Sequence, residues 1–423
     1  MPSFDHPDPR RLLQGMYDAA VAAAHPRAIV RRHLPPPPKG RTIVIGAGKA
    51  SAAMAETLEQ AWGGDLSGVV VTRDGYARPT LHIEVAEAGH PIPDERSVHA
   101  ARRLLHLAAT AGDDDLILCL ISGGASALAA MPRQGVNLGE KQAVTRRLLA
   151  RGAAIDDINC VRKHLSSVKG GQLAAAAGKT RIRSLIISDV VGDNIGVIGS
   201  GLTAPDPSTC ADALRIIDRY QVSISDGVRS QLLSGVWETP KQLPSTVENI
   251  IIARPRDGLA AATAFAANHG LPCINLGDRF SASAGEVAAA HVRAINDVLE
   301  GTHTVKAPCV IVSGGEAVVN VVGDGRGGPN TEFALALAAS LPRRAKIWGI
   351  AADTDGTDGI GGHAGAMIAP DTVVRAQAEG LDPQAFLSRN DTASFFERLG
   401  DLLVPGPTFT NINDFRAIYV SAP

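Results

Sequence analysis

The stretch RTIVIGAGKAS, residues 41–51, decides the fold of this chain. Its apolar run ends abruptly in a loop of small residues that carries one lysine, Lys49, and helix-forming sequence follows. Apolar runs without polar alternation are typical of strands that are buried on both faces of a parallel sheet. The stretch therefore predicts a strand, a tight turn and a helix, which together form the first unit of an α/β fold.

Four further runs repeat this pattern of an apolar strand followed by a loop of small and charged residues. They are LILCLISGGAS (116–126), SLIISDVVGD (184–193), CVIVSGGEA (309–317) and KIWGIAADTDGTDG (346–359). Helical periodicity separates the runs, and this alternation predicts a parallel sheet with helices on both faces. Loops at the carboxyl ends of such strands line the ligand crevice of open α/β proteins. We therefore expect the functional site in these loops.

The 423 residues predict two domains. Residues 222–250 show little periodicity, so we place the boundary there, with a Rossmann-like N-terminal domain over 1–245 and a smaller α/β domain over 246–423. Within the first domain, the pattern predicts an opening helix over 9–33 and a later helix over about 155–177.

Composition excludes several classes of function. The net charge of −2 lacks the basic bias that nucleic-acid binding needs. No stretch approaches the ~20 apolar residues of a membrane-spanning helix. Five scattered cysteines without a CxxC pair, and an N-terminus without an apolar signal region, fit a reducing compartment. We therefore predict a cytoplasmic protein with a small-molecule ligand and no nucleic-acid or membrane partner, and the sequence leaves a homodimer open.

Three of the strand-end loops are candidate anion cradles, because small residues let backbone N–H groups approach a phosphate or carboxylate. A tight strand-to-helix turn explains the same glycines equally well. The residues concerned are Gly46 and Gly48 in the first loop, Ser122, Gly123, Gly124 and Ser126 in the second, and Ser313, Gly314 and Gly315 in the third.

Two cations stand out among glycines. Lys49 precedes a helix whose N-terminal dipole it opposes, so it gains nothing structurally there. Arg326 lies in the glycine loop of GDGRGGPNTEFALALA (323–338), where Asn330 opens the following helix, and nothing structural requires an arginine in such a loop. A guanidinium can bind a carboxylate or a transferring phosphoryl group. We predict that both cations, with Asn330, act on a ligand.

Acidic residues in the same loops suggest a cation beside the anion. Asp189 and Asp193 follow one strand and predict an Mg²⁺ site, because this ion is held by one or two carboxylates plus phosphate oxygens. Turn capping by the two residues is the alternative. Glu316 and Asp353 are candidates for a substrate hydroxyl or for a general base. GKT at 178–180 is not a P-loop, because Leu173 stands where the motif needs glycine.

Taken in order, these segments resemble the glycerate 2-kinases of the MOFRL type, a family related to proteins once named as hydroxypyruvate reductases. The resemblance covers nearly the whole chain. It rests on GAGKAS, GHPIPDERS, SGGAS, INCVRKHLSSVKGGQLA (158–174), SDVVGD, SGGEA, GRGGPNTEFALA, DTDGTDG and GPTFTNINDF (406–415).

The resemblance implies ATP- and Mg²⁺-dependent phosphorylation of D-glycerate at its 2-hydroxyl. It also implies a Rossmann-like domain paired with a smaller MOFRL domain, with the active site in the cleft between them. The family's active-site lysine and arginine fall on Lys49 and Arg326. Two alternatives remain: a nicotinamide-dependent hydroxypyruvate reductase, which would want the intact GxGxxG that Ser51 interrupts, and a non-catalytic sensor of sugar acids or phosphates.

Overall fold

The structure is a computed structural model that describes residues 8–342 and 346–422. The described residues form two compact units. The N-terminal unit comprises residues 26–252. The C-terminal unit comprises the described residues up to His25 together with those from Ala253 onward. No helix in the described part of the chain has the length and apolar character that crossing a membrane requires.

The regular elements of the described residues are numbered in chain order. The strands are β1 (Thr42–Ala47), β2 (Leu66–Arg73), β3 (Ile83–Ala88), β4 (Leu116–Ile121), β5 (Arg181–Ile187), β6 (Val247–Ala253), β7 (Cys273–Asn275), β8 (Phe280–Ser283), β9 (Cys309–Ser313), β10 (Gly315–Val318), β11 (Ile347–Asp353), β12 (Gly365–Ile368), β13 (Leu402–Leu403) and β14 (Asp414–Val420). The helices are α1 (Pro9–Ala24), α2 (Pro26–Ile29), α3 (Ser51–Ala61), α4 (Glu95–Ala109), α5 (Ala125–Leu128), α6 (Leu138–Ala150), α7 (Ile155–His164), α8 (Gln172–Ala176), α9 (Cys210–Arg219), α10 (Asp226–Leu233), α11 (Pro255–Asn268), α12 (Ala284–Leu299), α13 (Pro329–Ser340), α14 (Thr372–Ala378), α15 (Pro383–Ser388) and α16 (Thr392–Leu399).

The N-terminal unit is built on a six-stranded sheet in the order β3-β2-β1-β4-β5-β6. β1 pairs in parallel with β2 and β4, and β2–β3 and β4–β5 are parallel pairs too. Every residue of β1 and β4 is buried, as their unbroken apolar sequence predicts. This strand order is that of Rossmann folds. The predicted α/β, Rossmann-like fold of this unit is therefore confirmed.

Two predicted helices are shorter than expected, and proline or glycine explains each break. The helix predicted over 9–33 ends at Ala24, because Pro26 cannot donate the amide hydrogen bond that a continuing helix needs. The helix predicted over 155–177 is interrupted between α7 and α8. Gly170 and Gly171 adopt positive φ angles of 60° and 83° there, which reverse the chain and place Lys169 in a loop.

The C-terminal unit contains a second six-stranded sheet, in the order β13-β12-β11-β14-β9-β7. We expected all the apolar runs to form parallel strands, and for this sheet the expectation is wrong. β14 lies in the middle and pairs antiparallel with both β9 and β11, while β7–β9 is a parallel pair. β9 and β11 consequently run in the same direction, so their carboxyl ends meet the start of β14 at one edge of the sheet.

The observed division of the chain differs from the predicted boundary after residue 245. β6 completes the first sheet, so the N-terminal unit extends to residue 252. Helix α1 belongs to the C-terminal unit, where Leu13 and Tyr17 pack in a core with Leu259 and Ala262 of α11. The reason is that the apolar face of α1 is buried against a helix more than 200 residues away, a pairing that local patterns do not reveal.

Candidate functional site

The loops after β1 and β4 lie at the topological switch point of the first sheet. β1 and β4 are neighbours, and the order of the strands reverses there, with Ala47 opposite Ile121 at the last paired position. Ligands of open α/β sheets bind outside the carboxyl ends of the strands at such a point. The structure therefore brings Lys49, which follows β1, close to the Ser122–Gly124 loop that follows β4.

The loop after β1 is not the backbone cradle that its glycines suggested. The amide of Gly48 donates to Val71 O at 3.1 Å and that of Lys49 to Gly123 O at 2.8 Å. The amide of Ala50 donates to Ser122 Oγ at 2.9 Å. A Cβ at Gly48 would lie 2.2 Å from Ser122 Oγ, so the glycine is needed for close packing. Close packing of a tight turn is therefore sufficient to explain Gly46, Gly48 and the Ser122 side chain.

The loop after β4 keeps its backbone donors available. The amides of Gly123 and Gly124 donate to no other residue in the described part of the chain. Gly124 has a φ of 84°, and a Cβ added to it would lie 3.1 Å from His90 Nε2 and 3.2 Å from Lys49 Cγ. Free N–H groups beside a lysine and a histidine form a setting that favours an anion. Gly123 and Gly124 remain the candidate cradle of the N-terminal unit.

Ser126, in the first turn of α5, is partly exposed and contacts two of three cations that we term the basic cluster: Lys141, Arg162 and Lys169. Arg162 Nη2 donates to Ser126 Oγ, which also lies 2.5 Å from Ser200 Oγ. Lys169 Nζ donates to the carbonyl oxygens of Ser126 and Ala129, at 2.7 and 2.9 Å. The local sequence pattern predicts no role for these cations, although Arg162 and Lys169 lie in the segment 158–174 that carries the family resemblance.

Asp189 and Asp193 both follow β5, as predicted, and both are half-buried. Asp193 adopts a positive φ of 57° in a turn closed by its amide on Val190 O. It lines a cavity of about 610 Å³ together with Asn194 and Lys163. Two carboxylates at one strand end have the donor chemistry that suits Mg²⁺. Among the described residues, one group of three metal-ligating side chains is closely spaced: His164, Cys210 and Glu238. Asp189 and Asp193 do not belong to that group.

The third predicted cradle, after β9, has its donors engaged. Ser313 is buried and its hydroxyl contacts His291 Nε2 at 2.8 Å, while the amide of Gly314 donates to Gly277 O at 2.9 Å. Burial lowers the pKa of His291 to about 4, so the imidazole is neutral. A Cβ at Gly315 would lie 2.4 Å from Phe280 O. Packing within the protein accounts for these contacts, and a ligand-binding role of Ser313, Gly314 and Gly315 stays a prediction.

A buried ion pair organises the edge of the second sheet. Arg416 Nη2 contacts Asp414 Oδ2 at 2.5 Å, Nη1 donates to Gly314 O at 3.1 Å, and the guanidinium lies 5.1 Å from the ring centre of Phe333. Asn330 Nδ2 donates to Asp414 Oδ1 at 2.6 Å. Asn330 is thus buried in a structural network through its Nδ2, and its assignment as a ligand-contacting residue stays a prediction.

The N-terminus of α13 already holds a carboxylate of the protein. Asp358 accepts hydrogen bonds from the amides of Asn330 and Thr331, both at 2.9 Å, and from the Thr331 hydroxyl at 3.0 Å. Burial raises the pKa of Asp358 to about 7. Because these donors are taken, the helix end does not offer a further anion site, and Arg326 is the cation of the glycine loop before it.

Arg326 has a fixed backbone and an accessible side chain. Its amide donates to Asp391 Oδ1 at 3.0 Å, and its carbonyl accepts from the amide of Ala393 at 2.9 Å. The guanidinium, 47% exposed, pairs with Glu397, itself 57% exposed. Exposed pairs contribute only about 0–1 kcal/mol. An anionic ligand can therefore displace Glu397 at little cost.

The two predicted acidic residues of this unit lie on strands of different sheets. Glu316 is exposed on β10, which pairs in parallel with β8. Asp353 ends β11 opposite Asp414 and accepts a hydrogen bond on Oδ1 from the amide of Asp355 at 2.9 Å. Their assignment to a substrate hydroxyl or to a proton acceptor stays a prediction.

Two families match separate stretches of the chain. Residues 12–233 match a domain family described as a domain of unknown function, DUF4147, and residues 309–414 match the MOFRL family. The D-glycerate 2-kinase of Thermotoga maritima is 36% identical over 97% of this chain and 98% of its own length. The chain belongs to the MOFRL-type glycerate kinase family. The family resemblance predicted from the motifs is thus confirmed.

Two solved structures share the fold of this MOFRL-family chain. The crystal structure of a glycerate kinase from Thermotoga maritima superposes with a TM-score of 0.87 at 35% identity, over 97% of this chain and 99% of that chain. A Pyrococcus horikoshii protein superposes at 0.81 with 34% identity, over 98% and 99%. A relative from Agrobacterium vitis, 46% identical over 97% of this chain and 94% of its own length, carries a provisional hydroxypyruvate reductase name.

Proposed function

We propose that this chain is a kinase that transfers the γ-phosphoryl group of ATP to the 2-hydroxyl of D-glycerate. The full-length similarity to the Thermotoga maritima D-glycerate 2-kinase supports the substrate class. The proposal rests on the groups that meet at the switch point of the first sheet. The amides of Gly123 and Gly124 make no hydrogen bond within the described residues, and they lie next to Lys49 and to Ser126, which contacts the basic cluster. Such a site suits a highly charged phosphate ligand.

The same loops argue against the reductase. A dinucleotide fold needs amides of the loop after β1 free to bind the pyrophosphate, with a glycine that lets it approach. Here the amides of residues 48–50 all donate within the protein, and Ser122 fills the space beside Gly48. The provisional name of the Agrobacterium vitis relative keeps hydroxypyruvate reduction as the second candidate.

To catalyse phosphoryl transfer, a protein mainly has to position the two substrates and neutralise the negative charge of the phosphoryl group. Lys49 would bind an anionic oxygen of the phosphoryl group or of the glycerate carboxylate, and Arg326, released from Glu397, would bind the other. Glu316 or Asp353 would accept the proton of the 2-hydroxyl as its oxygen bonds to phosphorus and ADP leaves.

Mg²⁺ fits the carboxylates after β5. Asp189 and Asp193 would hold the ion, which when bound neutralises phosphate charge. The turn that presents Asp193 is closed by its own amide, so its carboxylate is set by a defined loop rather than by a flexible segment.

The position of phosphorylation is tested by the product. With D-glycerate, ATP and Mg²⁺, we expect 2-phosphoglycerate, which enolase converts directly to phosphoenolpyruvate without added phosphoglycerate mutase. A signal that requires the mutase would identify 3-phosphoglycerate and overturn the 2-position. In a parallel reaction, hydroxypyruvate with NADH or NADPH should give no loss of absorbance at the nicotinamide band. Steady oxidation without kinase activity would favour the reductase.

A further inference from the structure

The basic cluster contains a buried cation without a counter-charge. Lys141 is 5% exposed, and its Nζ makes no hydrogen bond in the described part of the chain. Burial, reinforced by the charges of Arg162 and Arg133, lowers the pKa of Lys141 to about 7. A buried amine that makes no hydrogen bond destabilises a fold whether it is charged or neutral, so its presence calls for an explanation.

The neighbours of Lys141 add positive charge only. Burial, with Lys141 and Arg162, lowers the pKa of Lys169 well below its ordinary value, and burial lowers the pKa of Arg162. Among the described residues, no carboxylate forms an ion pair with Lys141, Arg162 or Lys169. The charged groups facing Lys141 from the elements around it are thus Arg133, from the loop before α6, Arg162 of α7 and Lys169.

The next residue of α7 shows what an ordinary buried cation looks like in this unit. Lys163 is 7% exposed and its Nζ lies 3.3 Å from Asp206 Oδ1. Asp206 in turn accepts hydrogen bonds from Ser208 and Thr239. Lys163 is therefore neutralised within the protein, whereas Arg162 and Lys141 are not.

We infer that Lys141 and Arg162, with the Ser126 hydroxyl, form a binding site for a phosphate group in the N-terminal unit. Gly124, Ser126 and Arg162 are partly exposed, so solvent reaches this part of the unit. Lys141 is buried, and the positive charge of Arg162 acts on it. Lys169 donates hydrogen bonds to the carbonyl oxygens of Ser126 in α5 and of Ala129 just after it, and so positions this short helix. A bound phosphate would accept hydrogen bonds from Arg162 and Lys141 and supply the missing negative charge.

This inference rests on the proposed kinase function for the source of the phosphate, which is either the nucleotide or the phosphorylated acid. Titration calorimetry at pH 8 measures how the full chain binds four ligands: inorganic phosphate, ADP, 2-phosphoglycerate and D-glycerate. Lys141→Met and Arg162→Gln should each weaken binding of inorganic phosphate about 10- to 100-fold, because each removes a charge-assisted hydrogen bond. The matched control is Arg146→Met, which removes one charge from the exposed face of α6.

Proton uptake gives a second readout that a structural role would not produce. At pH 8, Lys141 is mostly neutral in the free protein, and a bound anion raises its pKa, so binding takes up a proton. Calorimetry in buffers of different ionisation enthalpy should show this uptake in the parent and in Arg146→Met, and its loss in Lys141→Met. Lys141→Met should remain folded, since methionine fills the site without a charge to desolvate.

The possible results distinguish the nucleotide from the phosphorylated acid as the source of the phosphate, and they distinguish failure of the phosphate site from failure of the proposed kinase function. Weakened ADP binding with unchanged 2-phosphoglycerate binding assigns the site to the nucleotide, and the reverse assigns it to the acid's phosphate. Unchanged phosphate and ADP affinity in both folded variants, or weakened binding of D-glycerate alone, overturns the inference even if the enzyme phosphorylates glycerate. Phosphate binding with proton uptake in a chain that lacks kinase activity would retain the inference and refute the proposed function.

Discussion

Replacing Lys49 with Ala is expected to lower kcat for glycerate phosphorylation by about 10²- to 10³-fold, the loss typical of removing one electrostatic contact to a transition state. Lys49 is half-buried at the switch point, with its Cγ beside Gly124. It stands at the positive end of α3, which gains nothing from a cation. The thermal midpoint of Lys49→Ala should consequently stay close to that of the parent, so the loss is catalytic.

Steady-state kinetics with ATP and D-glycerate, combined with differential scanning fluorimetry, check this expectation. Lys179→Ala is the matched control, because it removes an exposed lysine from the same unit. Lys49→Arg keeps the charge but changes its shape, and we expect it to restore only part of kcat. Near-normal turnover in Lys49→Ala would remove this residue from the active site.

Arg326→Ala provides the companion test in the C-terminal unit, with a similar expected loss of kcat. The control is Arg389→Ala, which breaks another exposed pair, with Asp324, in the same region. If Arg326 served only its pairing with Glu397, then Glu397→Ala would reproduce the effect of Arg326→Ala. We expect instead that Glu397→Ala leaves turnover unchanged or raises it, since the ligand no longer competes with a carboxylate.

The largest expected effect on stability is that of Arg416→Met, which should lower the free energy of unfolding by about 3–5 kcal/mol. Arg416 is fully buried, and its removal leaves the Asp414 carboxylate without a counter-charge. It also removes a donor to Gly314 O and a cation over Phe333. For a unit of this size, the thermal midpoint should fall by roughly 10 °C.

Thermal and urea unfolding of the full chain measure this loss, with Arg293→Met on the exposed face of α12 as the control. The double variant Arg416→Met with Asp414→Asn should recover part of the lost stability, because it removes the orphaned charge while the amide keeps hydrogen-bonding capacity. A single variant within about 0.5 kcal/mol of the parent, as at a surface site, would show that the pair does not hold this sheet edge together.

The antiparallel strand that carries this pair was missed at the level of sequence. β14 reads DFRAIYV, and its two charged residues interrupt the apolar pattern that identified the other strands. All seven residues are nevertheless buried. Asp414 and Arg416 are two residues apart on the same strand, and their side chains form an ion pair that neutralises both charges. Periodicity records the polarity of single residues, whereas burial here depends on a pair.

The glycine loops show a similar limit. GAGKAS, SGGAS and SGGEA look alike as sequences, yet only the second keeps free amides in the described structure. The difference arises because the partners Val71, Gly123 and Gly277 come from other segments of the chain. Local composition predicts that a loop is tight, but it does not reveal whether its donors face the protein or a ligand.

The sequence by itself determined the strand-and-helix order of the N-terminal sheet, the residues that end each strand, and the family, because unbroken apolar runs and a long series of motifs are local properties. The tertiary structure alone decided that α1 joins the C-terminal unit and that β14 reverses the direction expected of the second sheet. It also decided that Arg162 and Lys169 contact Ser126, with Lys141 buried near them and no carboxylate of the described residues paired with any of the three. These features depend on which distant residues meet and on which charges are left uncompensated, and both follow from packing rather than from spacing along the chain.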